Sequence, residues 1–276
     1  MAEIGKVNKL QVARAVEFGV YLDGRNLGEI LLPNRYVSNN CNIGDEIEVF
    51  IYLDSEDRLV ATTETPYVTV DDFALLRVAA VNKIGAFMDW GLQKDLLVPY
   101  REQRQNMKEG RSYLVYVYLD EESNRIAAST KIHKYVDQVH VDYEEGEEVD
   151  LIIYRKEELG FKVIINKTHF GMIYDSEIFQ TIHVGQKMKG YIKQIREDEK
   201  IDCKLQKIGY DQVNDFSTIL YKYIKSNEGF IPINDKSSAD DIRDTFGVSK
   251  KTFKKAVGAL YKQRIITITE KGIQLL

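Results

Sequence analysis

The chain has 276 residues, 44% of them hydrophobic and 29% charged, the balance of an ordinary globular chain. No apolar run reaches membrane-spanning length, and the first residues, Met1 to Lys6, carry no apolar stretch of signal-peptide type, so a cytoplasmic protein without membrane contact is expected. The two cysteines, Cys41 and Cys203, have no partner spacing for zinc or a redox pair and read as buried thiols. The net charge of −5 argues weakly against a polyanionic partner, because residues 209–276 hold 11 Lys and Arg against 8 Asp and Glu. A local basic patch acts over only about 10 Å at 0.1 M salt, so the sign of the whole chain decides little.

One segment occurs three times. Each copy runs from a glycine through an apolar strand to an acidic turn and a second short strand: Gly44 to Asp54 then Arg58 to Thr62, Gly110 to Asp120 then Arg125 to Ser129, and Gly185 to Asp198 then Lys200 to Cys203. The period is too long for a solenoid unit and fits one small β domain, so an array of barrels is expected over residues 1–66, 67–135 and 136–208. In the second copy five short strands can be read, with a turn after the third. Alternation puts Tyr113, Val115, Val117 and Leu119 inside and Leu114, Tyr116 and Tyr118 outside. The first copy has Ile47, Val49, Ile51 and Leu53 inside with Phe50 and Tyr52 outside, and the third has Tyr191 and Lys193 at the matching outer places. An outward ring on a strand has two possible destinations: a nucleic-acid base stacked on it, or a neighbouring domain packed over it.

Gly85-Ala86-Phe87-Met88-Asp89-Trp90-Gly91 with Arg125-Ile126-Ala127-Ala128-Ser129 resembles the S1 RNA-binding domain, an OB-type five-stranded barrel; Gly171-Met172-Ile173-Tyr174-Asp175-Ser176-Glu177 is similar to the same pattern in the third copy. The resemblance implies RNA-contacting aromatics on the second strand and at the end of the third. The first position falls on Phe87, beside Trp90, with Tyr21 or Phe18 as a looser match in copy one and Phe161 in copy three. The second falls on Tyr174 in copy three but on Pro33 and Pro99 in the other two. The third barrel is therefore expected to carry RNA through Phe161, His169, Tyr174, Tyr191 and Lys193, with the first two acting mainly as scaffold.

After Gln206 the apolar period changes from 2 to 3.6. Phe216, Ile219, Leu220, Tyr223 and Ile224 form one face of a first helix; Ser238 caps a second that Gly247 stops; Ser249 caps a third with the buried stripe Phe253, Val257 and Leu260. Ile265 to Ile268 and Ile273 to Leu275 make a hairpin. Three helices and a hairpin form a winged helix over residues 209–276, with the third helix in the recognition position. Lys250, Lys251, Lys254, Lys255 and Lys262 lie on that helix with no carboxylate between them, which favours contact with a polyanion over a merely solvated face.

Three S1-like copies followed by Asn234-Asp235-Lys236-Ser237-Ser238 and Phe253 to Arg264 are similar to the conserved virulence factor B family of bacterial RNA-binding proteins, over nearly the whole chain. The expectation is a mostly β multidomain protein: tandem five-stranded S1/OB-type barrels followed by an α+β winged-helix domain. It binds single-stranded RNA, with a post-transcriptional role implied by the resemblance. His133, His140, His169 and His183 make no helical metal pair, and there is no phosphate-binding loop, so neither catalysis nor a cofactor is expected. Two alternatives stay open: a regulator that reads duplex DNA through the winged helix, which Asp240, Asp241 and Asp244 on the preceding helix disfavour, and a protein-interaction array in which the strand aromatics are domain interfaces.

Overall fold

The computed structural model describes residues 1–137, 140–175, 178, 181–205, 211–262 and 264–276, with residues 211–215 described through their backbone. The Ser176-Glu177 end of the third S1-like pattern and Gln206 lie outside the described residues. Two compact units divide the chain, Met1–Val139 and His140–Leu276.

The first unit contains two closed barrels. In the first, β1 (Val7–Val16), β2 (Gly19–Asp23), β3 (Glu29–Pro33), β4 (Glu46–Leu53) and β5 (Leu59–Thr62) close in the order β1-β2-β3-β5-β4. The second repeats that order with β6 (Asp72–Val81), β7 (Gly85–Asp89), β8 (Leu96–Pro99), β9 (Ser112–Leu119) and β10 (Ile126–Ser129). The third, in the second unit, uses β11 (Glu148–Glu157), β12 (Gly160–Ile165), β13 (His169–Tyr174), β14 (Lys187–Ile195) and β15 (Ile201–Lys204). In all three the first strand pairs early with the fourth and late with the second. Its register to the second shifts between Val12 and Arg14, Val78 and Ala80, and Ile153 and Arg155. A bulge at that point bends the strand far enough to serve both neighbours and close the barrel.

Alternation fills each barrel as the sequence requires. Val49 and Ile51 lie in the core of the first, Val115 and Val117 in that of the second, and Val149, Leu151 and Ile153 in that of the third. Leu114, expected outside, is buried. Cys203 is buried and its thiol is pushed up to about 12 by desolvation, whereas Cys41 is only half-buried, which corrects the expectation for that residue.

The first barrel keeps its own core but also adds outward-facing residues to the core of the second. Phe50 and Tyr52 point out of the first barrel, as alternation demands, yet are 1% and 8% exposed because they enter one apolar cluster with Val68, Trp90, Leu92 and the core of the second barrel. The Phe50 ring meets Trp90 edge-on at 5.6 Å. Polar bonds hold the same joint: Lys94 Nζ donates to the carbonyls of Leu53 and Asp54 at 2.8 Å, and Arg125 Nε donates to Asp57 at 2.7 Å.

In the second unit α1 (Asp211–Ser226), α2 (Ala239–Phe246) and α3 (Lys250–Lys262) pack with a three-stranded sheet. The expected hairpin, β17 (Ile266–Thr269) and β18 (Gly272–Leu275), gains a short strand, β16 (Phe230–Ile231), from what reads in the sequence as loop. Ser238 Oγ accepts from Asp241 N at 3.0 Å, Gly247 closes α2 in the left-handed region, and Ser249 Oγ accepts from Thr252 N at 3.1 Å. Phe216, Leu220, Ile224, Phe253, Val257 and Leu260 form the core. No helix of the described residues is long and apolar enough to cross a membrane.

Because Phe50 fills the joint between two barrels, Phe50→Ala should destabilise the first unit by about 3–5 kcal/mol. Denaturant unfolding followed by Trp90, the chain's one tryptophan, reads this directly. A loss below about 1 kcal/mol would show that the joint contributes little.

Candidate nucleic-acid interface

The three barrels place corresponding residues by backbone register. Gly19, Gly85 and Gly160 open the second strand of each barrel and pair with Pro33, Pro99 and Tyr174 at the end of the third. A Cβ at these glycines would lie 2.3, 2.2 and 2.0 Å from the carbonyl oxygens of Leu32, Val98 and Ile173, so the strands can approach only without a side chain. The preceding carbonyls, of Phe18, Ile84 and Leu159, accept from the backbone N–H of Asn34, Tyr100 and Asp175. Each turn therefore holds an apolar side chain in solvent, 58%, 57% and 64% exposed, next to the third-strand position. Ile84 and Leu159 were missed as site residues in the sequence because one exposed aliphatic carries no signal; only the threefold recurrence does.

Two residues beyond each glycine stand Tyr21, Phe87 and Lys162, which pair with Leu31, Leu97 and Met172 on the outer face. The second-strand position in the third barrel thus belongs to Lys162. Phe161, expected there, pairs with Ile173 and packs on the barrel core, with Lys156 Nζ 4.8 Å from its ring.

In the first unit the outward rings are largely spent on protein. Trp90, expected as a base-stacking ring, is only 3% exposed, and its Nε1 donates to Lys94 O at 2.6 Å; the adjoining barrel covers it. Phe87 is half-buried and lines a cavity of about 160 Å³ with Ile84, Leu97, Pro99 and Tyr52. Tyr116 stacks on Tyr135 at 4.1 Å and Tyr118 on the same ring at 5.8 Å. Tyr21 is covered by the Arg14 guanidinium at 3.9 Å, itself paired with Glu29 at 2.7 Å.

The third barrel differs. Tyr174, Met172 and Phe170 share the outer face of β13, all half-buried, and Phe170 stacks on Tyr154 with ring centres 5.6 Å apart. Lys162 Nζ sits 3.7 Å from the Phe170 ring centre. Tyr174 OH accepts from Arg196, which also pairs with the buried Asp202 at 2.9 Å. That carboxylate, with the Tyr174 contact, holds the guanidinium above its ordinary pKa. Phe170 thus lies between Tyr154 and Lys162, and the half-buried Tyr174 ring at the strand end is the one placed where a base could stack, with Arg196 beside it. His169 is not part of this face: it points inward, 4% exposed, with Nδ1 3.0 Å from Tyr143 OH and from Thr168 Oγ1. Tyr191 donates to Glu148 at 3.1 Å from the fourth strand, and Lys193 is half-buried two residues on. Phe170 was legible from the alternation His169 to Tyr174; Arg196 was not, because its partner Tyr174 lies on another strand.

On α3, Phe253, Ala256, Val257 and Leu260 are buried, Lys250 is half-buried, and Lys251, Lys254, Lys255 and Lys262 are exposed. Among the described residues none of these five lysines makes an ion pair, so their charge is available to a ligand. No group of three or more His, Cys, Asp or Glu among the described residues is placed to hold a metal ion.

Domain models agree with this architecture. The S1 domain matches residues 4–64 and 73–131, and the CvfB-like winged helix domain matches 218–275; strand order joins the third barrel to the first two. The chain is thus a modular protein of S1/OB-type and winged-helix domains, types that bind nucleic acid. It is 30% identical over 268 residues to YitL, an uncharacterized protein of Bacillus subtilis, covering 94% of this chain and 89% of that protein. It is also 26% identical over 286 residues to conserved virulence factor B of Staphylococcus epidermidis, covering 98% and 96%. A crystal structure described as a multidomain protein with nucleic acid binding domains from Streptococcus pneumoniae is 25% identical, with a TM-score of 0.42, covering 99% of this chain and 98% of that one. The chain belongs to the family of conserved virulence factor B and YitL.

Covering of the first unit's rings has a titration signature. Desolvation pushes the Tyr52 and Tyr116 phenols up to about 12, from an ordinary value of 10. A raised phenol stabilises the fold while it stays protonated, so this contribution is full below pH 10 and is lost as pH rises toward 12. Burial raises Tyr118 and Tyr135 as well, so ultraviolet titration should show four tyrosines of the first unit ionising late and together with its unfolding, and Tyr52→Phe should remove one of them. Ionisation of all four near pH 10 in the folded protein would mean that the rings are open.

Proposed function

We propose that the protein is a non-catalytic, single-stranded RNA-binding protein in which the third barrel stacks bases and α3 grips the phosphate backbone. The observation that supports this best is the uneven fate of the outer-face aromatics. In the first two barrels Phe50, Tyr52 and Trp90 are buried, Tyr116 and Tyr118 stack on Tyr135, and Pro33 and Pro99 end the third strand, whereas the third barrel has the half-buried Tyr174 ring at that strand end with Arg196 beside it. Single-strand binders combine such a stacking platform with a basic grip, and the five lysines of α3, none in an ion pair among the described residues, supply the second part. A post-transcriptional role in gene expression is the part of this reading that the family resemblance implies. Two RNA contacts expected from sequence are withdrawn, Trp90 and His169, because their rings are buried.

Duplex DNA is the competing ligand, favoured by the winged helix itself, in which α3 holds the position that enters a major groove. Asp240 and Asp241 in the first turn of α2, with Asp244 after them, place negative charge on the helix before it. A competition titration of the full chain with labelled single-stranded RNA, single-stranded DNA and duplex DNA at several salt concentrations separates the ligands. Tyr174→Ala should weaken RNA binding by roughly 1–3 kcal/mol if its ring stacks a base. Unchanged affinity in that variant would remove the third barrel from the interface.

The α3 grip is tested separately. Lys251→Glu with Lys255→Glu, both exposed and away from Phe253 and Val257, should leave circular dichroism unchanged and lower RNA affinity. The slope of log K against log salt should fall by about 0.7 for each single-strand phosphate that is no longer neutralised. A folded double variant with unaltered affinity and slope would make the lysine face merely solvated.

A further inference from the structure

Gly258 lies in the middle of α3, where a glycine disfavours the helix. Each of the other described glycines has a structural reason. Either φ is positive, as at Gly44, Gly110 and Gly247, or a Cβ would strike a neighbouring atom, as at Gly19, Gly85 and Gly190. Gly258 has neither: its backbone is ordinary helix, and nothing lies within 4 Å of the position its Cβ would take. Packing within the described chain therefore does not call for a glycine there, and open space with no side chain is what a close-approaching ligand needs.

Its surroundings indicate the ligand. At 100° per residue, Lys251, Lys255, Gly258 and Lys262 fall on one stripe opposite the buried Phe253, Ala256, Val257 and Leu260. Lys254 and the 55% exposed Tyr261 border that stripe on one side. The cations lie on both sides of the glycine along the helix axis, Lys255 about 4.5 Å before it and Lys262 about 6 Å after it at 1.5 Å per residue. The result is a shallow notch between two cationic groups on a surface whose lysines have no ion-pair partners among the described residues. A chain of phosphates laid along the helix would meet charge at each end and bare backbone between.

We propose that Gly258 is the seat at which the phosphodiester backbone of single-stranded RNA lies against α3, held there by the lysines on either side. The proposal rests on the reading of α3 as the phosphate grip and adds that the contact is steric as well as electrostatic. Glycine at this position trades helix stability for closeness of approach.

The test sets stability against binding in the full-length protein. Gly258→Gln keeps the net charge and restores a good helix former, so it should raise the melting temperature of the winged-helix transition by about 4 °C or more in calorimetry. In the same variant affinity for a labelled single-stranded RNA should fall about tenfold. Ala259→Gln, one residue off the stripe, adds bulk without filling the notch and should bind as the parent does. Three results would overturn the proposal: parental RNA affinity in Gly258→Gln, an equal loss in Ala259→Gln, or a loss confined to duplex DNA. The variant Lys251→Glu with Lys255→Glu, measured alongside, tells the two failures apart. If it still weakens RNA binding while Gly258→Gln does not, the lysine grip stands and the seat falls; if it has no effect, the grip and the seat fall together.

Discussion

A five-stranded barrel of this size has one inside, and half of every strand must face away from it. That geometric constraint governs the whole chain. Inward positions are filled by Val, Ile and Leu in all three copies, and the outward ones are left to be covered by protein, solvated or used by a ligand. One ladder position shows all the outcomes. Phe50 pairs with Thr62, Tyr116 with Ser129 and Tyr191 with Lys204, so the three rings are structural equivalents. The first is buried under the next barrel, the second is stacked beneath Tyr135, and the third is half-exposed with its hydroxyl on Glu148.

The joint between the first two barrels explains why repetition of a domain does not mean repetition of its role. Phe50 and Tyr52 carry a large apolar area, and burying it against Trp90 fastens the outer face of the first barrel to the core of the second, which helps domains of a size that is marginal alone. The cost falls on ligand access. Trp90 is sealed, and Phe87 faces a cavity of about 160 Å³ partly walled by Tyr52 and Leu53, which can hold far less than a strand. Pro33 and Pro99 replace a planar side chain where the third barrel has Tyr174. Scaffold and interface are thus divided between copies of one fold.

The winged helix divides its residues along a single helix instead. One stripe of α3 anchors the domain core through Phe253, Val257 and Leu260, and the opposite stripe carries lysines without ion-pair partners among the described residues. Several cations of the barrels are held by protein instead: Arg14 by Glu29, Lys94 by two carbonyls, Arg196 by Asp202. Charge left unpaired on a short rigid element is the arrangement that a polyanion can neutralise with a measurable salt dependence.

The sequence by itself determined the repeat, the barrel class, the caps Ser238, Gly247 and Ser249, and the lysine stripe, because each is a local pattern with a period or a fixed offset. It also determined which way Phe50, Tyr52 and Tyr116 point, since alternation along a strand needs no partner. What covers them was decided only by tertiary structure, because burial depends on residues distant in the chain: Trp90 over Phe50, Tyr135 over Tyr116. The same holds for the errors. Phe161 reads as an S1 aromatic until the pairing of Gly160 with Tyr174 puts Lys162 at that position, and His169 reads as a contact until the barrel turns it inward to Tyr143. Arg196 becomes part of the site only because β14 and β15 bring it to Tyr174, a juxtaposition made by strand order and invisible to spacing.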